Sequence, residues 1–124
     1  MRTFVAAVLA ASALTSPAAA VDSSDFNLRT TRDLIALCAS EPDQSLYAEA
    51  HQFCYGFLAG AAQLHQVLIR SRDIRPIACP PYEVTRERLA DVFLDWARGH
   101  PEAMDQAPAE SLKRAAAAEW PCGR

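Results

Sequence analysis

Four cysteines, Cys38, Cys54, Cys79 and Cys122, follow an opening of twenty residues, MRTFVAAVLAASALTSPAAA, and together these two features limit the folds open to the chain. The opening carries one positive charge at Arg2, an apolar run from Phe4 to Leu14, and the small residues Ala18 and Ala20 ahead of a polar segment. That is the pattern of an export signal with an A-x-A cleavage site, read here as cut after Ala20. A spanning helix needs roughly 20 apolar residues, more than this run supplies, so no membrane insertion is expected. An even number of cysteines in a small exported domain reads as two disulfides, each contributing on the order of 2 to 4 kcal/mol.

The mature chain, residues 21–124, is expected to be a single domain with a modest core. Without Arg2 it holds 11 basic and 15 acidic side chains, a net charge of -4, which gives no case for nucleic-acid binding.

The hydrophobic pattern predicts an all-α fold, a small four-helix bundle with one long central helix. Thr30, Thr31 and Asp33 ahead of Leu34, Ile35, Leu37 and Cys38 predict an N-cap and a short helix over about 31–39. From Leu46, apolar residues recur at 50, 53, 57, 61, 64 and 68, with 54 and 58 alongside, which predicts a long amphipathic helix to about Arg70. Pro76, Pro80 and Pro81 forbid helix in the segment that follows. A third helix is predicted from a Thr85 cap, with Leu89, Val92, Phe93, Trp96 and Ala97 on one face, stopped by Gly99 and Pro101. Pro108 opens a fourth, with Leu112, Ala115, Ala116 and Trp120 as its stripe and Pro121 as its end.

Antiparallel packing of the last three helices places the start of the third beside the end of the fourth, which favours a Cys79 to Cys122 bridge. Cys38 then pairs with Cys54 if the short helix folds back across the long one. Cys38 with Cys122 stays open as the alternative, because the sequence does not place the first helix.

Oxidation decides most of the chemistry. His51 and Cys54 share a helical face, but a zinc site needs about four ligands, and only His65 and His100 remain as further nitrogen donors, at unrelated spacings. Neither a metal nor any other cofactor is expected. A Cys/His nucleophile pair fails because a disulfide has no thiolate. No G-x-S-x-G, H-E-x-x-H or Gly-rich phosphate loop occurs, and no catalytic residue is assigned. Glu83, Glu87, Asp91 and Asp95 alternate with Arg86, Arg88 and Arg98, which reads as a solvated face rather than an acid/base pair. A protein that acts by binding fits best. Two stretches are candidates for partner contact: the basic turn Arg70, Arg72 and Arg75, and the long loop from Gly99 to Ala107 with His100, Glu102 and Asp105.

The landmarks DLIALC at 33–38, CYGFLAG at 54–60, ACPPYEVT at 78–85, GHPE at 99–102 and AEWPC at 118–122 form a series. It resembles the Tai-type immunity family, small periplasmic proteins that protect bacteria from amidase effectors of type VI secretion. The resemblance runs over roughly residues 28–122, and its most specific pieces are C-x-G-[YF]-x-x-G and the closing W-P-C, with Phe57 where many relatives carry Tyr. It implies an all-helical protein with structural cysteines, frequent homodimers, and inhibition by occluding the groove of a cognate peptidoglycan amidase. Two other readings compete with it, an HdeA-like acid-stress chaperone of the periplasm and a small envelope ligand-binding module.

Gly56 and Gly60 remain to be explained. Each costs about 1 kcal/mol against Ala in a helix interior, so another helix, from the same bundle or from a second copy, is expected to press against them.

Overall fold

The computed structural model describes residues 20–123, so the export signal read over residues 1–20 lies almost wholly outside the described residues. A 3-10 turn, Ser23–Asn27, leads into α1 (Thr31–Cys38), α2 (Tyr47–Arg70), α3 (Arg86–Arg98), a second 3-10 turn at Pro101–Ala103 and α4 (Pro108–Glu119). No strand occurs among the described residues. The fold is all-α, with α2 as its long helix.

The helix starts follow local chemistry. Thr30 caps α1 in a capping box, its hydroxyl accepting from the Asp33 N–H while the Asp33 carboxylate accepts from the Thr30 N–H at 3.0 Å. Thr85 caps α3 by accepting from the Arg88 N–H at 3.1 Å, and Pro108 occupies the first turn of α4, where its missing N–H is not needed. The turn at Ser23–Asn27 carries no hydrophobic period that would announce it in the sequence. There Asp22 caps by accepting from the Ser24 N–H, which holds its carboxyl below the ordinary range.

The core is assembled from Leu34 and Leu37 of α1, Ala50, Cys54 and Leu58 of α2, Leu89, Val92 and Phe93 of α3, and Leu112 and Ala115 of α4, closed by Trp120. Phe93 is wholly buried; burying a side chain of this kind contributes about 1.5 to 3 kcal/mol. Both favoured disulfides are present, Cys38 to Cys54 and Cys79 to Cys122, and the Cys38 to Cys122 alternative is excluded.

The long helix is rotated relative to expectation. Its buried residues are Ala50, Cys54 and Leu58, whereas Phe53 is 38% exposed, Leu64 59% and Val67 50%. The bridge to Cys38 fixes which side of α2 faces α1, and Phe53 lies one residue round from it. From Ala59 to Arg70 no residue is buried. At 24 residues α2 is about 36 Å long against about 20 Å for the 13 residues of α3, so its second half outruns the packed core.

Gly56 and Gly60 are both exposed on this helix, and a Cβ built at either meets no heavy atom within 4 Å. The expectation that a helix of the same chain presses against them is therefore corrected: the neighbouring helices pack on the Cys54 side.

Candidate functional site

The loop from Gly99 to Ala107 is a built structure rather than a slack connector. Its first turn closes through the His100 N–H to the Ala97 carbonyl at 3.1 Å, and the Ala103 N–H donates to the His100 carbonyl at 2.9 Å. The start of α1 docks on its far end, where the Thr31 N–H donates to the Gln106 carbonyl at 2.8 Å and the Arg32 N–H to the Met104 carbonyl at 3.1 Å. Beneath them the wholly buried hydroxyls of Thr31 and Ser111 share a hydrogen bond of 2.6 Å, and Thr31 also reaches the Gln106 carbonyl at 3.0 Å. Free N–H groups at a helix start seek acceptors, and here loop carbonyls supply them.

Two of the expected contact residues of this loop, His100 and Glu102, are linked through Trp96 and Arg114. The His100 ring stacks on Trp96 with centroids 4.0 Å apart and an interplanar angle of 12°, its Nδ1 lying 2.7 Å from the Trp96 carbonyl. Arg114 of α4 lies over the Trp96 ring at 4.9 Å and reaches Glu102 at 3.5 Å and Gln106 at 3.1 Å. Asp105 pairs with Arg32 at 3.1 Å, both largely exposed. Trp96, Arg114 and Arg32, which contact these loop residues, come from α3, α4 and α1 rather than from the loop itself. The spacing of Trp96 and His100 by four, across the end of α3, was the one signal for the stack.

Beside the loop runs an apolar groove of about 310 Å³ lined by Ile35, Ala39, Leu94, Ala97, Pro101 and Met104, with Arg98 at its rim. A smaller one of about 200 Å³ lies between α3 and α4 over Val92, Trp96 and Ala115. Its charges are paired, Arg88 with Glu119 at 2.5 Å and Asp95 with Arg98. Glu83 falls outside α3, ahead of its Thr85 cap, so the regular carboxylate row is shorter than the sequence implied. Glu87, Asp91 and Asp95 are all exposed.

The basic candidates stand elsewhere. Arg70 ends α2, and Arg72, held at a left-handed φ of 64°, and Arg75 follow it, all exposed. Since α3 leads from this segment to the Gly99–Ala107 loop, the two candidate surfaces lie at opposite ends of α3 and do not merge.

All four cysteines are in disulfides, and among the described residues no group of three His, Cys, Asp or Glu side chains could hold a metal ion. His51 packs between the rings of Tyr47 and Tyr55, at 5.0 and 4.5 Å, and burial pushes the Tyr55 phenol up. What the surface offers is contact: a pinned loop with carboxylates, an arginine, a stacked imidazole and an adjoining apolar groove.

The profile of the Rap1a immunity proteins matches residues 30–122. The chain belongs to the Rap1a immunity protein family. The Rap1a region opens at Thr30, the cap of α1, and closes at Cys122, so it contains both disulfides and both candidate surfaces and leaves the 3-10 turn at Ser23–Asn27 outside. No curated protein and no solved structure matches the chain significantly. No helix among the described residues of this Rap1a protein is long and apolar enough to cross a membrane.

Proposed function

We propose that the chain is an exported, periplasmic immunity protein that binds a peptidoglycan amidase effector of type VI secretion and covers its active site, without catalysis of its own. Membership of the Rap1a immunity family over residues 30–122 carries this reading. The mature domain, residues 21–124, acts as one unit whose inhibitory element is the loop from Gly99 to Ala107. A loop held in one shape before binding loses little conformational freedom on docking, which favours tight inhibition. Its carboxylates Glu102 and Asp105 are exposed at the tip, and the groove over Leu94 and Met104 accepts an apolar side chain of the effector.

A homodimer belongs to the same reading. Phe53, Gly56, Gly60, Leu64 and Val67 recur at helical spacing along the outer side of α2, and all five are exposed. A second copy of α2 is the occupant that fits, since the glycines admit a close helix and the apolar side chains flank it.

The test is titration of a cognate amidase, chosen from the same gene neighbourhood, with the mature chain while peptidoglycan cleavage is followed. Stoichiometric inhibition is expected. The double substitution Glu102→Arg with Asp105→Arg is expected to weaken binding at least about tenfold, as loss of buried interfacial charge contacts does. Full inhibition by that variant transfers the contact away from the loop, and failure to bind any neighbouring amidase sinks the proposal.

A further inference from the structure

The segment between α2 and α3 cannot be helical, yet it is fastened at both ends. At its start the Asp73 and Ile74 N–H groups donate to the Leu68 carbonyl at 2.9 and 3.4 Å, and the Ser71 hydroxyl donates to the Asp73 carboxylate at 2.5 Å. At its far end the Cys79 N–H donates to the Trp120 carbonyl at 2.9 Å beside the Cys79 to Cys122 bridge. Between these anchors a single tie reaches back to the helix: the Ile77 N–H donates to His65 Nε2 at 3.0 Å. The carbonyl of the same peptide, that of Pro76, lies 3.5 Å from Cys122 Sγ, but an oxidised sulfur has no proton to donate. His65 therefore makes the one hydrogen bond to that peptide among the described residues.

We infer that His65 is a pH-operated latch on the loop that carries Arg72 and Arg75, the neutral imidazole holding the Ile77 amide and the protonated imidazole releasing it. An imidazole nitrogen accepts a hydrogen bond only while it lacks a proton, and in the cation both nitrogens are donors. Imidazole is also the side chain whose charge ordinarily changes between about pH 5 and 8. With Nε2 accepting, Nδ1 carries the proton of the neutral ring. Arg70 on the same helix and Arg72 and Arg75 in the following loop carry positive charge, the Asp73 carboxylate among them accepts from the Ser71 hydroxyl, and Glu119 at the end of α4 pairs with Arg88. Among the described residues no carboxylate lies within 4.0 Å of His65, whereas six other ion pairs meet that distance. Acidification thus frees the segment from Arg75 to Ala78 between two anchors that stay closed, which loosens the presentation of Arg75 while Arg70 and Arg72 stay held at the end of α2. The latch stands on this geometry alone, whether or not the partner is an amidase.

The experiment is a nitrogen-15 magnetic resonance titration of the mature chain from pH 8 to 5, following the His65 ring nitrogens and the Ile77 amide. The expected result is an Nδ1–H tautomer at high pH, and an Ile77 amide proton that moves upfield along the His65 titration while its protection factor falls up to about tenfold, the worth of one such bond. His65→Gln keeps an acceptor that does not titrate, so its Ile77 resonance is expected to stay fixed across the range. His65→Ala is expected to show the released position at every pH. An Ile77 resonance in the wild-type chain that ignores the His65 titration overturns the latch, as does a His65→Gln variant that keeps the wild-type pH dependence. Amidase inhibition does not enter either readout, so the two proposals fail separately.

Discussion

At Gly56 and Gly60 a methyl group would enter open space on a helix whose neighbours lie on the other side. Ala at either position is expected to stabilise the monomer by about 0.5 to 1 kcal/mol, the ordinary helical difference between the two residues. The same substitutions are expected to weaken self-association, since a second helix seated on the glycines meets the new methyls. Denaturant unfolding with sedimentation measured on the same samples checks both directions at once. Thr31 and Ser111 make a second residue-scale test. Thr31→Val removes the hydroxyl that pegs the Gln106 carbonyl and leaves the buried Ser111 hydroxyl without its partner, at a cost of about 1 to 3 kcal/mol. Ser111→Ala leaves Thr31 still bonded to that carbonyl and is expected to cost about 0.5 to 1.5 kcal/mol. Equal losses in the two variants would contradict the assignment of Thr31 as the peg of the loop.

Among the elements, the two bridges differ in what surrounds them. Cys38 and Cys54 lie in the core between α1 and α2, while Cys79 is exposed and Cys122 half-buried at the margin. Access controls thiol exchange, so mild reductant is expected to open Cys79 to Cys122 first, read by alkylation and mass spectrometry at timed intervals. Loss of that bridge frees the proline-rich segment, and loss of Cys38 to Cys54 detaches α1 from α2 and is expected to cost about 2 to 4 kcal/mol. Helix boundaries were legible here to within one or two residues, because Thr30, Thr85, Pro108, Gly99 and Pro121 act through local backbone chemistry. The facing of α2 was not. Its apolar residues occupy more than one side, and a period of 3.6 admits Phe53 or Cys54 as the inward residue with nearly equal claim.

For the whole molecule, export is the expectation that governs the rest, and the mature chain is expected to begin at Val21. Intact mass of the protein from a periplasmic fraction decides this: a species retaining Met1 through Ala20 removes the reason for reading the four cysteines as an oxidised framework in the cell. The candidate loop was visible in the sequence as excess length between two helices, with His100, Glu102 and Asp105 in it. That it is pinned by the start of α1 was not, since residues 31 and 106 are joined only by the fold. His65 carries the same lesson, because its partner amide lies twelve residues on and is brought back by prolines whose path no local pattern describes.

By itself, the sequence determined the helices and their ends, because caps, prolines and hydrophobic period act over a few residues, and antiparallel order favoured Cys79 with Cys122 while leaving the partner of Cys38 open. The tertiary structure decided that Cys38 meets Cys54, which side of α2 is buried, which loop is tied to the start of α1, and what the three histidines touch. Those are outcomes of competition between distant surfaces for the same core, and only the packed chain resolves it.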